Sequence, residues 1–460
     1  MGRPFATPVT TALPDVRLAG PRVRPAVLAL ARALSGAYLR LGLGYRSVRV
    51  LGAERLVRAF DESLSGAARC VLAFRHPYGD EAQLMSWLFL RGVPREARRL
   101  GVRLPARPWA IFVHGYEVPR WSGPLVRWLL PRMGALPVHH SKMDSAGMAR
   151  IRAALEDGPL PLALAPEGQV SYASDRVPRL EQGAARLALG AAASLAARGR
   201  GVPVRILPIS VHHRHGPESR PSLLRLVRRI ERLAGLGAGR GGQPIAERLL
   251  SARDAMLDLA ERHYGMALPA EVRPEGRLPE AGTRLEALIG KALEAGERIL
   301  GLPAGRGDPI ERVYRIRQAG WDRIFVPGAG KAGGPPLARA LADRKAGEAW
   351  YAMRHMEFVD FAWYFASGAP DGELVGAPLH ALVEYAQNLW DLGNRLSGGA
   401  ISGRVTVRPR RALVIVADPI DADAASRESG TDRRAAVAAL TADLDSAYRR
   451  CIEESLREHE

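Results

Sequence analysis

Apolar and polar residues follow two textures along the chain. Up to about residue 215, short apolar runs end at Gly, Pro or polar residues and give way to helical periodicity. That rhythm predicts strands near 46–52, 70–74, 108–113, 134–138, 160–165 and 202–211. Between them it predicts helices at about 22–43, 53–62, 82–90, 123–133, 145–157 and 181–198, with 92–108 as a basic, Pro-containing surface connection. From about 217 to 400 the pattern is helical: 222–236, 245–264, 283–300, 309–319, 336–346, 356–365 and 379–395. Strand character returns at 404–407 and 412–420, and a helix at 433–455 closes the chain. Strands alternating with helices predict an α/β fold: a mixed central sheet flanked by helices, with a large, mostly helical insertion. The expected organisation is an N-terminal segment with an amphipathic helix (1–44), an α/β core (45–215), a helical insertion or cap (216–400), and C-terminal strands and helix rejoining the core (401–460). No internal repeat of fixed period is visible.

Composition changes this picture little. The formal charge of +18 (66 basic against 48 acidic residues) favours anionic surfaces. Arg, Ala, Gly and Pro are all abundant, so part of that charge reflects compositional bias. No nucleic-acid motif accompanies it, and nucleic acid is not expected as a partner. Two cysteines, Cys70 and Cys451, exclude a disulfide framework and fit a reducing compartment. No apolar run is long enough to span a bilayer, and no signal peptide is recognisable. The apolar helix after Arg22 and Arg24, carrying Arg32 and Arg40, suits either a membrane interface or packing on its own domain.

The chemistry concentrates where the apolar run Cys70–Phe74 meets Arg75-His76-Pro77-Tyr78-Gly79-Asp80-Glu81. A histidine at a strand end, with carboxylates four and five residues on, suits a general base and the acid that orients it. The same residues also suit a capped helix with a half-buried histidine beside it. A second polar turn, Pro166-Glu167-Gly168, follows another strand, and two such loops at one sheet edge form the usual layout of a site. His212-His213-x-His215 offers metal-type ligands, but no Cys or carboxylate cluster stands at ligand spacing, so no metal is expected.

These blocks resemble, in order, the glycerolipid acyltransferases of the lysophosphatidate acyltransferase type. Val48–Glu54 is similar to the family's strand ending in Gly-x-Glu, and Val71–Glu81 to its block of His followed five residues later by an acid. Gly134–Val138 looks like the second block, Ala165-Pro166-Glu167-Gly168-Gln169-Val170-Ser171 like the Pro-Glu-Gly block, and Val204–Val211 like the fourth. Asp418-Pro419-Ile420 is similar to the last strand. The resemblance covers about 45–215 and 403–455 and is silent on 217–400. It implies an O-acyltransferase of phospholipid biosynthesis, peripheral on the cytoplasmic face of an anionic membrane. His76 would deprotonate a glycerolipid or lyso-phospholipid hydroxyl, which attacks an acyl-CoA or acyl carrier protein thioester without a resident cofactor. The family acid is Asp at the position of Glu81, with Asp80 one residue earlier as the competing orienter. Glu167 and Gly168 would shape the substrate pocket. The family's two phosphate-binding arginines fall at Val170 and at His139 or His140, leaving Lys142, Arg150 or Arg176 to supply positive charge. Those departures keep open a catalytically silent lipid-binding or scaffold protein with the same fold.

Overall fold

A computed structural model describes residues 8–14, 21–116, 118–139, 144–168, 170, 173–237, 239–266, 280–329, 335–366, 374–399, 403–428 and 432–458. The chain divides into two compact units. One comprises Ala19–His139, Asp144–Gly216 and Arg408–Glu460, and the other includes Met1–Leu18 and Pro217–Val407. Among the described residues of the N-terminal stretch, 8–14 group with the second unit and 21–44 with the first.

The first unit is α/β. In chain order its elements are α1 (Pro25–Ala37, continued by a wider turn over Tyr38–Gly42), β1 (Tyr45–Leu51), α2 (Ala53–Ser65), β2 (Arg69–Phe74), α3 (Glu81–Trp87), α4 (Val93–Arg99) and β3 (Ile111–Gly115). There follow α5 (Val118–Trp121), α6 (Gly123–Arg132), β4 (Leu136–Val138), α7 (Ser145–Glu156), β5 (Leu162–Leu164), α8 (Gly183–Ala197) and β6 (Val204–Arg214). The expected surface connection 92–108 thus contains a helix, α4, which buries Val93 and Ala97.

The second unit contains α9 (Arg220–Leu233), α10 (Ile245–His263), α11 (Ala281–Leu300), α12 (Pro309–Ile324), α13 (Pro336–Ala366) and α14 (Leu379–Leu396). Two helices were expected at 336–346 and 356–365, but one 31-residue helix covers both. Gly347 stands at the expected break. A helical glycine costs only about 1 kcal/mol relative to alanine, less than the packing of a long helix returns. Bidentate pairs cross this unit's interior at 2.7–2.9 Å, Arg248 with Glu231, Arg284 with Glu261 and Arg312 with Glu297. Part of the arginine content is therefore internal structure rather than a charged surface.

The chain returns to the sheet with β7 (Arg410–Val416) and β8 (Ile420–Asp421), then α15 (Ala422–Glu428) and α16 (Arg433–Arg457). Residues 404–407 form no strand; the Val407 amide donates instead to Gln387 Oε1. The sheet has eight strands in the order β1-β7-β6-β2-β5-β3-β4, with β8 on β6. β6, β2, β5, β3 and β4 run parallel, while β7 is antiparallel to β6 and parallel to β1.

Alternation along the strands sorts two cores. Cys70, Leu72 and Phe74 pack with Leu207, Ile209 and Val211 beneath residues of α1–α4 such as Leu56, Phe60, Leu84 and Val93. Val71, Ala73, Val204 and Ile206 face the other way, against α7, α8, α15 and α16. Sheet residues buried on both faces explain why these strands read as continuous apolar runs. Cys70 belongs to this packing; burial pushes its thiol up to about 12, which leaves it unreactive.

Candidate active site

The parallel strands β2, β3, β4 and β5 end on one sheet edge, and the candidate residues follow those ends. β2 pairs with β5 through Ala73 and Leu164. Continued past the last pair, that register brings His76 level with Glu167. The contact is direct: the His76 main-chain N–H donates to Glu167 Oε2 (2.7 Å). The other oxygen of Glu167 accepts from Arg75 Nε (2.9 Å). Arg75 is fully buried, and its remaining nitrogens donate to the carbonyls of Ala173, Ser174 and Arg176. Gly168, the next residue, sits at φ 73°, a left-handed conformation open to glycine at little cost. The Pro-Glu-Gly turn is therefore a clamp that fixes the His76 backbone and ties it to 173–176. Glu167 was expected to shape a substrate pocket; its side chain is sealed from solvent, with one oxygen on Arg75 and the other on the His76 amide, so it positions the His76 backbone.

The His76 ring is 23% exposed, and its Nδ1–H donates to Glu81 Oε2 (2.7 Å). Glu81, the first residue of α3, is completely buried. Its Oε2 also accepts the Gly79 amide (2.8 Å), and its Oε1 accepts the Tyr78 amide (2.9 Å) and His213 Nε2–H (2.8 Å). Gly79 makes this wrap feasible by turning at φ 95°. Burial alone would raise the Glu81 carboxyl; the hydrogen bonds that His213 and His76 donate outweigh it and hold the group well below the usual carboxylate range. Glu81 is thus an anchored carboxylate that fixes the His76 tautomer, with hydrogen on Nδ1 and the lone pair on Nε2.

Asp80 does not orient His76. It precedes α3 without a side-chain cap bond. Its carboxylate accepts from the Tyr45 hydroxyl (3.0 Å) and pairs with the Arg410 guanidinium. Arg410 is buried, lies over the Tyr45 ring at 4.1 Å and faces Tyr78 at 5.3 Å. Burial works against the Arg410 charge, but Tyr45, Asp80 and Glu81 around it outweigh that and raise its pKa, so Arg410 stays a cation. The helix-cap reading therefore fails for Asp80, and the one-residue choice between the two acids resolves to Glu81.

The adjacent histidines of β6 part company because successive strand residues face opposite sides of the sheet. His212 lies 2.9 Å from Ser210 Oγ and 3.1 Å from Asp175 Oδ1 on the other face, and burial holds it down at about 4. His213 points toward the His76 side. Asp80, Glu81 and His213 do bring ligand-type atoms within 4.8 Å of one another. Four N–H donors already occupy Glu81, and a guanidinium already neutralises Asp80, so a cation would have to displace both. The set fits an ion-pair network rather than a metal centre.

Of the remaining candidates, His139 follows β4 and stacks on Tyr116, ring centroids 3.9 Å apart. Arg176 lends its carbonyl to Arg75 within the clamped turn. His140, Lys142, Gln169 and Ser171 lie outside the described residues. Arg75, His213, Tyr45 and Arg410 were missed as site residues. The usable signal was the histidine run on β6, a strand that overruns β2 by five residues, from Ile209 opposite Phe74 to Arg214. No family model matches the chain, and no curated protein matches it.

Proposed function

We propose that the protein is an O-acyltransferase that moves a fatty acyl chain from a thioester, acyl-CoA or acyl carrier protein, to a glycerolipid or lyso-phospholipid hydroxyl. The observation that carries this reading is the His76–Glu81 pair at the sheet edge, with Glu167 of the Pro-Glu-Gly turn bonded to the His76 backbone. In the reaction, His76 Nε2 takes the proton of the acceptor hydroxyl as its oxygen attacks the thioester carbonyl carbon. Glu81 stabilises the imidazolium. The tetrahedral intermediate then breaks its C–S bond, the thiolate recovers the proton from His76, and an ester and a free thiol leave. No enzyme nucleophile is required.

A lipid acceptor is supported by the surface of α1. Leu30, Leu34, Tyr38 and Leu41 recur at helical spacing and are exposed by 56, 56, 50 and 80%. Residues 16–53 contain seven arginines and no acid. An apolar stripe with an arginine-rich surround suits the interface of an anionic membrane, which supports the reading of a peripheral enzyme on the cytoplasmic face. Among the described residues no helix is long and apolar enough to cross a bilayer.

The test is mass spectrometry of products after incubating the purified protein with isotope-labelled acyl thioester and mixed lyso-lipids. A labelled ester formed by the wild type and absent from His76→Ala supports the reading. Equal product from both proteins contradicts it.

A further inference from the structure

We propose that His213 is a positioning residue for His76: it holds the Glu81 carboxylate from the side opposite His76, so that Oε2 alone is presented to the His76 ring. Its role in turnover rests on the acyl-transfer reading; its role in fixing the ring rests on geometry.

The burial pattern of β6 makes His213 conspicuous. Leu207, Ile209 and Val211 alternate into the core on its side of the sheet, and His213 is the next residue in that series. It is completely buried, and its ring stands 3.8 Å from the Tyr78 ring. Its Nε2–H donates to Glu81, while its Nδ1 has no hydrogen-bond partner among the described residues. Burial, with Arg410 nearby, disfavours the imidazolium, so the neutral ring keeps its single hydrogen on Nε2. An apolar side chain would pack here without stranding a polar nitrogen. Packing alone therefore does not account for a histidine at this position.

The length of Glu81 explains what the histidine does. A glutamate has one more rotatable bond than an aspartate, and holding it in one rotamer costs more entropy. The Tyr78 and Gly79 amides grip the carboxylate from the turn, one on each oxygen. His213 adds a side-chain donor from another strand and pins Oε1. With Oε1 pinned, the carboxylate plane is set and Oε2 meets His76 Nδ1 at 2.7 Å. Glu167 fixes the backbone of the base; Glu81, held by His213, fixes its ring.

The experiment compares the full-length wild type with His213→Leu and His213→Gln. Leucine removes the donor, whereas the glutamine amide donates from near the Nε2 position. Two readouts are taken: kcat and KM for labelled acyl transfer, and the ¹⁵N shifts of the His76 ring, which report its tautomer. His213→Leu is expected to lower kcat about 10- to 100-fold with little change in KM, the scale of a misplaced catalytic group. His213→Gln is expected to recover most of that loss. His76 should keep hydrogen on Nδ1 in the wild type and His213→Gln, and should mix tautomers in His213→Leu. A wild-type rate and tautomer in His213→Leu, or equal defects in both variants, overturn the proposal. If His213→Leu does not fold, His213→Asn takes its place, because its amide ends short of Glu81. If the wild type transfers no acyl group, the functional reading falls while the tautomer measurement still decides the role of His213.

Discussion

Replacing Glu81 with Gln changes one heavy atom, and its effects on stability and rate should separate. Four N–H groups now donate to Glu81, two on each oxygen. A glutamine amide accepts on one side only, so its NH₂ must face either the Tyr78 amide and His213 or the Gly79 amide and His76. Tyr78 is buried, whereas Gly79 is exposed and its amide can turn to water. The NH₂ therefore faces Gly79 and His76. His76 must then accept at Nδ1, which moves its hydrogen to Nε2 and removes the lone pair that takes the acceptor proton in the proposed reaction. The stability cost is one weakened amide and the loss of charge-assisted bonds, about 1–3 kcal/mol. The rate cost is that of a base in the wrong tautomer, roughly 10²- to 10⁴-fold. Urea unfolding and initial rates on the same preparation measure the two effects. A Glu81→Gln protein that transfers acyl groups within a few-fold of wild type would refute the reasoning, because the tautomer would then not matter.

Three other outcomes follow from the same geometry. Glu167→Ala leaves the buried Arg75 guanidinium without its carboxylate and frees the His76 amide; a loss of about 3–5 kcal/mol in urea unfolding is expected, and a loss below 1 kcal/mol would show that the Arg75 carbonyl contacts suffice. His212 has a folded-state pKa of about 4, below the histidine value of about 6.5, so the unfolded chain takes up its proton first. Stability should therefore fall as pH drops from about 6.5 toward 4, by up to about 1.4 kcal/mol per unit from this residue. His212→Gln should flatten that slope, and an unchanged slope would assign the loss to other groups. Leu30→Glu combined with Leu34→Glu should weaken co-sedimentation with anionic vesicles by at least about tenfold while leaving circular dichroism unchanged; unaltered binding would move the membrane surface elsewhere.

How far the sequence disclosed this site depends on how local each contact is. The His76–Glu81 bond closes over five residues, so strand, turn and helix signals exposed both candidate acids, and the family resemblance favoured Glu81 by register. The Glu167 turn lay at a recognisable strand end, but its function did not show. Its partners Arg75 and the His76 amide are set by sheet register, which no local pattern encodes. Asp80 stayed in contention because its true partner, Arg410, lies 330 residues along the chain. His213 was visible only as one of three clustered histidines. Strand alternation splits His212 from His213, and only the sheet order shows which faces Glu81. In the helical unit, Gly347 read as a break because propensity is local, whereas the helix is held by packing along its length.

The central claim is that His76 acts as the general base of an acyl transfer. The most direct measurement is the initial rate of labelled ester formation by wild type and His76→Ala at equal concentration, with both proteins shown to be folded by circular dichroism. A fall of roughly 10²- to 10⁴-fold in the variant, with no acylated protein in either sample, is the predicted result. A variant that retains the wild-type rate, or a stable acyl-enzyme on the wild type, would contradict it.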